Sequence, residues 1–197
     1  MDVHRGPARR RPDAGTGALG GLPAVRVGSP VHLRPLTHDD VPVLASWADD
    51  VELCREAGWS TGLARERHVA FWRGVVDAPP PELLRLGAVS EGALVGYVDL
   101  HGLGPARREL GVLIGVRARW GDGLGRQAAA AALDHGFGAL GLTEVWAEAL
   151  DANGRSVRLL RRLGMRETGR GGEEDFLGRP SFYRQFTVTS AEWRRSS

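Results

Sequence analysis

The chain has 197 residues, 42% hydrophobic and 25% charged, a composition that suits one globular unit with its own core. No apolar run reaches the roughly 18–20 residues of a membrane helix, and the basic opening MDVHRGPARRRPDAGTGALGGLPA lacks a signal peptide's continuous apolar stretch, so the expected setting is cytoplasmic, with no membrane partner. The net charge is +2, but residues 1–30 hold five arginines against Asp2 and Asp13; the remainder is close to neutral, which argues against nucleic acid as a partner of the folded part. Cys54 is the single cysteine and the six histidines lack ligand spacing, which removes disulfides and metal sites from the expectation.

In chain order, residues 1–28 are rich in Gly, Pro, Arg and Ala without periodicity and read as a disordered basic extension; residues 29–197 read as one domain. VHLRPL from Val31 is a first strand. Thr37 is placed to cap a helix over 38–48, where Val41, Leu44, Ala45 and Ala48 share a face. Residues 49–60 read as less regular. A second helix over 63–77 stops at Pro79-Pro80-Pro81. Strands over 83–90 and 94–101 flank a Glu91-Gly92 hairpin turn, with Val95, Tyr97, Asp99 and His101 on one face of the second. A strand over 109–116 leads to a glycine turn and a helix over 124–140. A strand over 143–149, a helix over 153–163 closed by Gly164, and strands near 166–168 and 182–189 complete the order. Hairpins in the middle followed by βαβ units predict a mixed sheet with helices on its faces, an α/β or α+β architecture.

The most informative stretch is ELGVLIGVRARWGDGLGRQ, residues 109–127. Glycines between a strand and a helix allow close backbone approach, and the free N–H groups of the helix's first turn favour an anion, so the turn is expected to take a phosphate or pyrophosphate. A Walker A loop requires a lysine, and the chain has none. A dinucleotide fingerprint requires G-x-G-x-x-G directly after a strand, whereas Gly121, Gly123 and Gly125 give G-x-G-x-G, four residues beyond the strand.

The segment ELGVLIGVRARWGDGLGRQAAAAALDHGF resembles the acetyl-CoA motif of the GNAT acetyltransferase superfamily, [RQ]-x-x-G-x-[GA], with Trp120 in the [RQ] place followed by Gly121, Asp122, Gly123, Leu124 and Gly125. The downstream LTEVWAEALDANGRSVRLLRRLGMRETG, with Asn153 and Ser156 opening a helix that closes on Leu163-Gly164-Met165, is similar to the ribosomal-protein N-terminal acetyltransferase branch. So is the ending around Glu192-Trp193, read as following the last strand.

The resemblance implies a central sheet splayed open into a V, flanked by helices, and acetyl-CoA as the acyl donor. Leu113, Ile114 and Val116 would hold the donor's pantetheine arm. The turn from Trp120 through Arg126 would take the pyrophosphate on its N–H groups, and Asn153 and Ser156 would contact the arm. The implied reaction moves an acetyl group to a primary amine, of a protein N-terminus or of a small molecule such as an aminoglycoside or amino acid. Glu109 is the candidate base, and Asp99 and His101 are further candidates to bind or deprotonate the amine. Trp59, Tyr97 and Tyr183 are candidates to line the acceptor pocket. Many superfamily members carry a tyrosine acid where this chain has Leu160. That departure keeps a second reading open, a GNAT-like module that binds acyl-CoA without turnover. The assembly is expected to be a monomer or homodimer.

Overall fold

The computed structural model describes residues 30–196, and the expected extension over 1–28 lies outside them. Seven strands form one sheet in the order β1-β2-β3-β4-β5-β7-β6, where β1 is His32–Pro35, β2 Leu83–Ser90, β3 Ala93–His101, β4 Arg107–Ile114, β5 Glu144–Leu150, β6 Arg166–Phe176 and β7 Arg179–Thr189. Every neighbouring pair is antiparallel except β4 and β5, which are parallel and paired only from Arg107↔Glu144 to Glu109↔Trp146. Beyond that short ladder β4 stays with β3 and β5 stays with β7, so the sheet opens into a V with Glu109 at its vertex. This is the mixed sheet flanked by helices that the sequence pattern predicts, with the splay that the family resemblance implies.

Side-chain alternation assigns each face of the sheet to a different set of helices. Leu110, Val145, Ala147 and Phe186 pack with α4 (Leu124–Gly138) and α5 (Gly154–Arg162) in the larger core. On the other face Tyr97 and Leu113 pack with α1 (Val41–Ser46), α2 (Val51–Glu56) and α3 (Arg65–Asp77), around Trp47 and Trp72. The hairpin between β2 and β3 turns on Glu91 (φ 53°) and Gly92 (φ 77°), the double positive φ that matches strand twist in a two-residue turn.

Two segments differ from the sequence expectation, and a third is one for which the sequence predicts no secondary structure. The irregular stretch over 49–60 contains α2, because the Asp50 carboxylate accepts from the N–H groups of Glu52 and Leu53, both at 3.1 Å, and so caps a helix whose Leu53 and Cys54 are buried. Two buried residues in a six-residue helix give too short a period to read. The strand expected near 166–168 extends to Phe176. Its burial pattern is almost wholly exposed, so no hydrophobic alternation marks it, and pairing with β7 holds it. The Glu192-Trp193 ending is helical, in α6 (Ser190–Ser196), with the Glu192 carboxylate accepting from the N–H and hydroxyl of Thr189.

Candidate functional site: a cleft where the sheet splays

The opening between β4 and β5 is a cleft of about 500 Å³, walled by β4, the glycine turn, the start of α5 and the inner side of α2. Its floor is a strand edge. Gly115 N–H donates to Val95 O of β3 at 2.9 Å, and an antiparallel ladder repeats that orientation at every second residue. Residues 109, 111 and 113 therefore bond towards β3. The main-chain groups of Leu110, Val112 and Ile114 turn to the other edge, and those of Val112 and Ile114 lie past the last β4–β5 pair. The Ile114 carbonyl accepts from the Trp120 indole N–H at 2.8 Å, which fastens the following turn to the strand end. The Val112 amide and carbonyl and the Ile114 amide face the cleft.

The glycine turn supplies the second wall. Gly121 has φ 101° and Gly123 has φ 84°, the left-handed region that side chains disfavour, and a Cβ on either would meet nothing within 4 Å. These two glycines are required by backbone shape and by open approach, not by packing. Gly125 differs: its Cβ would fall 2.9 Å from Leu159 Cδ1, so it lets α4 pack closely against α5. Gln127 N–H is bonded to Gly123 O at 3.1 Å, which leaves the amides of residues 124–126 ahead of it as the free N–H groups of a 15-residue helix. Arg126, Arg158 and Arg162 border the same end of the cleft and form no ion pair among the described residues. An elongated anionic ligand with a flexible amide-bearing arm fits these parts: free amides and cations at one end, an unpaired strand edge along the floor.

The remaining predicted donor residues fall around the cleft in unequal roles. Leu113 and Ile114 line it, but Leu113 also packs into the smaller core, whereas Val116 packs against the larger one. Val112, which the sequence reading passed over, offers both main-chain groups to the cleft; the strand register carries that signal and composition does not. Asn153 caps α5 by accepting from Ser156 N–H at 3.1 Å, which leaves its side-chain amide free to donate, and both residues line the cleft. Asp122 and Leu124 lie in the turn, Asp122 3.3 Å from Arg119 and Leu124 buried beneath it. Arg155, also missed, places its guanidinium 4.1 Å from the centre of the Trp120 ring and 2.9 Å from Glu56 of α2.

On the opposite face of the sheet, β3, β4, β5 and β7 bring polar groups to the vertex. Glu109 is half-buried. Burial first, then the neighbouring Glu148, raise its carboxyl above the usual range, while His101 and Arg107 pull it down. Glu148 lies two residues past the last β4–β5 pair and accepts from Gln185 Nε2 of β7 at 2.6 Å. Tyr183 of β7 donates its hydroxyl to Glu174, which together with burial pushes the phenol up to about 12. His101 is exposed at the end of β3, directly across from Glu109.

Two candidates stand elsewhere than expected. Asp99 is held by Arg85 in a two-point ion pair, 2.7 and 2.6 Å, and so has a permanent partner. Tyr97 is only 6% exposed; the Arg85 guanidinium lies 4.3 Å from its ring centre and Trp72 packs against it edge-on. It belongs to the smaller core and not to a ligand wall, and burial pushes its phenol up to about 12. The period-2 pattern put both residues on the correct face but could not reveal that Arg85 and α3 cover that part of it. Trp59 is half-buried beside Trp72, with ring centres 5.8 Å apart, at the rim of the same cluster.

The acetyltransferase (GNAT) domain family matches residues 31–166, more than half of the chain. The chain belongs to the GNAT acetyltransferase family. Solved structures of similar fold include a GNAT-family acetyltransferase from Bacillus anthracis, with TM-score 0.70, 18% identity and coverage of 84% of this chain and 98% of that one. A spermidine N-acetyltransferase from Vibrio cholerae in complex with CoA and spermine has TM-score 0.71 and 18% identity, with 83% and 98% covered. A probable acetyltransferase has TM-score 0.69 and 22% identity, with 85% and 97% covered. No curated protein matches by sequence. At these identities the likeness to solved structures is one of fold. GNAT acetyltransferases use acetyl-CoA, and the cleft described above has the shape and donors for such a ligand. Leu160, in the place of the tyrosine acid many members carry, is buried in the larger core of this GNAT domain. Among the described residues no helix is long and apolar enough to cross a membrane, and no three His, Cys, Asp or Glu side chains group as metal ligands.

Proposed function

We propose that this GNAT enzyme acetylates a cationic primary amine, with the donor in the cleft between β4 and β5 and the amine on the face that carries Glu109 and Glu148. The observation that carries the reading is the vertex of the V. There the last paired residue of β4 is a carboxylate of raised pKa, beside the point where the strand edge opens. Acetyl-CoA, when bound, supplies a thioester-activated acetyl group. The free amides of residues 124–126, with Arg126, would hold its pyrophosphate, and the Val112 and Ile114 edge would align its arm. An amide of that edge is the chain's donor for a carbonyl that gains negative charge.

An amine reaches neutral pH as an ammonium and must lose a proton before it can attack. Glu148, kept in place by Gln185, is the anchor for that charge. Glu109 takes the proton on a carboxylate oxygen; a raised pKa brings it nearer to the value at which a base is both deprotonated and effective. His101, exposed across from Glu109, is the route by which that proton passes to solvent. Trp59 and Tyr183 edge the acceptor side. The thiolate of CoA is a good leaving group, consistent with a leucine at position 160. The fold shared with an enzyme named for spermidine acetylation, and the acid pair at the vertex, support a cationic acceptor. A protein N-terminal amine, which the ribosomal-protein branch would use, meets the same chemistry.

Thiol release from acetyl-CoA with a panel of amines tests the reading: polyamines, an aminoglycoside, an amino acid and short peptides with free N-termini. Release is expected with at least one cationic primary amine and with no tertiary amine. Tight acetyl-CoA binding with no release from any of them would instead favour a binding module without turnover.

A further inference from the structure

Arg155 stands in the first turn of α5, two residues after the Asn153 cap, where a helix disfavours positive charge. Nothing in α5 explains a cation there. Its guanidinium instead leaves its own helix, lies 4.1 Å from the Trp120 ring centre and pairs with Glu56 at the end of α2, 99 residues away in sequence. Arg155, Trp120 and Glu56 all line the donor cleft, so the chain of contacts runs from one wall to the other. The Glu56 side chain is mostly buried and that of Arg155 is half exposed.

We infer that Glu56 and Arg155, stacked on Trp120, form a clasp across the donor cleft that opens for donor entry and recloses over the bound arm. The inference rests on the donor reading of the cleft. The clasp also links the two substrates. Its α2 end leads directly into the acceptor rim, because Trp59 N–H is bonded to Cys54 O of α2 at 2.8 Å. A second tie, Arg117 to Asp50 and Glu52 at 2.6 and 2.8 Å, holds the other end of α2 to the segment after β4. With that end fixed, motion of α2 is confined to the Glu56 end. A closed clasp over an occupied cleft therefore holds Trp59 in place.

A partly exposed ion pair and one cation–π contact are together worth about a tenfold change in rate, small enough for ligand binding to open and large enough to slow escape. The test is stopped-flow dissociation of acetyl-CoA from wild type, Glu56→Gln, Arg155→Gln, the double variant, and the charge exchange Glu56→Arg with Arg155→Glu. Each single change is expected to speed dissociation by about fivefold to tenfold. The double variant should resemble either single, the exchange should regain part of the slow rate, and KM for the amine should rise in both singles. Melting curves within a few degrees of wild type exclude loss of fold as the cause. Single variants within twofold of wild type, or strictly additive effects in the double, overturn the clasp and leave the donor reading standing. A wild-type chain that binds no acetyl-CoA overturns both.

Discussion

On the face that carries α4 and α5, the core is mostly alanine and aliphatic, with Phe137 and Phe186 buried among them. The parts proposed to meet the ligand there are main-chain groups: the amides of residues 124–126, the Val112 edge, and two glycines at positive φ. On the face that carries α1 to α3, the core is built on Trp47, Trp72 and Tyr97, and the parts proposed to meet the ligand are the side chains of Glu109, Glu148 and Trp59. A ligand shared by a whole family needs only backbone shape, which a short motif encodes. A ligand particular to one member needs side chains that converge from distant strands. The two substrates of one reaction are thus specified on different structural levels.

The largest separation between the faces should appear in stability. Trp72 is 1% exposed and touches Trp59, Phe71 and Tyr97. Trp72→Ala should cost about 3–5 kcal/mol in urea unfolding. A loss below 1 kcal/mol would mean that this face is not held by its aromatic cluster.

Gly123→Val should do the reverse, with a small loss of stability and a large loss of binding. Its Cβ has open space around it, so the structural cost is the strain of positive φ, about 1–2 kcal/mol. Displacing two or more charge-assisted amide contacts should weaken acetyl-CoA by roughly 10²–10³-fold in calorimetry. Unchanged affinity would remove the turn from the donor site. Gly125→Val is the control for packing: a Cβ 2.9 Å from Leu159 Cδ1 should destabilise by about 1–3 kcal/mol whatever its effect on binding.

Glu109→Gln should lower turnover by about 100-fold with acetyl-CoA affinity unchanged, and should abolish the acid limb of the pH–rate profile. Glu148→Gln keeps the base but removes a charge that holds its proton, so that limb should move to lower pH. A profile untouched by either change would take the acceptor chemistry away from the vertex.

The same contrast decides what could be read from sequence. The chain order of strands and helices, the βαβ units and the glycine turn were legible because hydrophobic period and turn chemistry are local. The candidate donor residues followed from resemblance to a family motif, yet Val112 was missed because which edge a backbone amide faces depends on register with β3. On the proposed acceptor face, Glu109 could be named through the family resemblance, as a glutamate at a strand's head. Glu148 could not, because it matters only through the divergence of β4 from β5 and through Gln185 on a third strand. Asp99 and Tyr97 looked available because their alternation was right, but Arg85, 14 residues from Asp99, claims both. The helix α2 was hidden because six residues hold too little of a period.

The smallest expected effect concerns what the vertex costs the fold. Glu109 in the folded chain keeps its proton to higher pH than in the unfolded chain, chiefly through burial and secondarily through Glu148. A group with a raised folded pKa contributes its stability in full below the unfolded value and loses it as pH rises through the folded one. At neutral pH the wild-type chain therefore carries an unfavourable charge at its vertex, and Glu109→Gln, which removes it, should be the more stable protein. Solvent reaches this half-buried group, so the gain should stay below about 1 kcal/mol at pH 7 and vanish near pH 4. Urea unfolding at the two pH values measures it. A Gln variant less stable than wild type at pH 7 would mean that the Glu109 carboxylate helps to hold the strands together, and that its place at the vertex is structural before it is chemical.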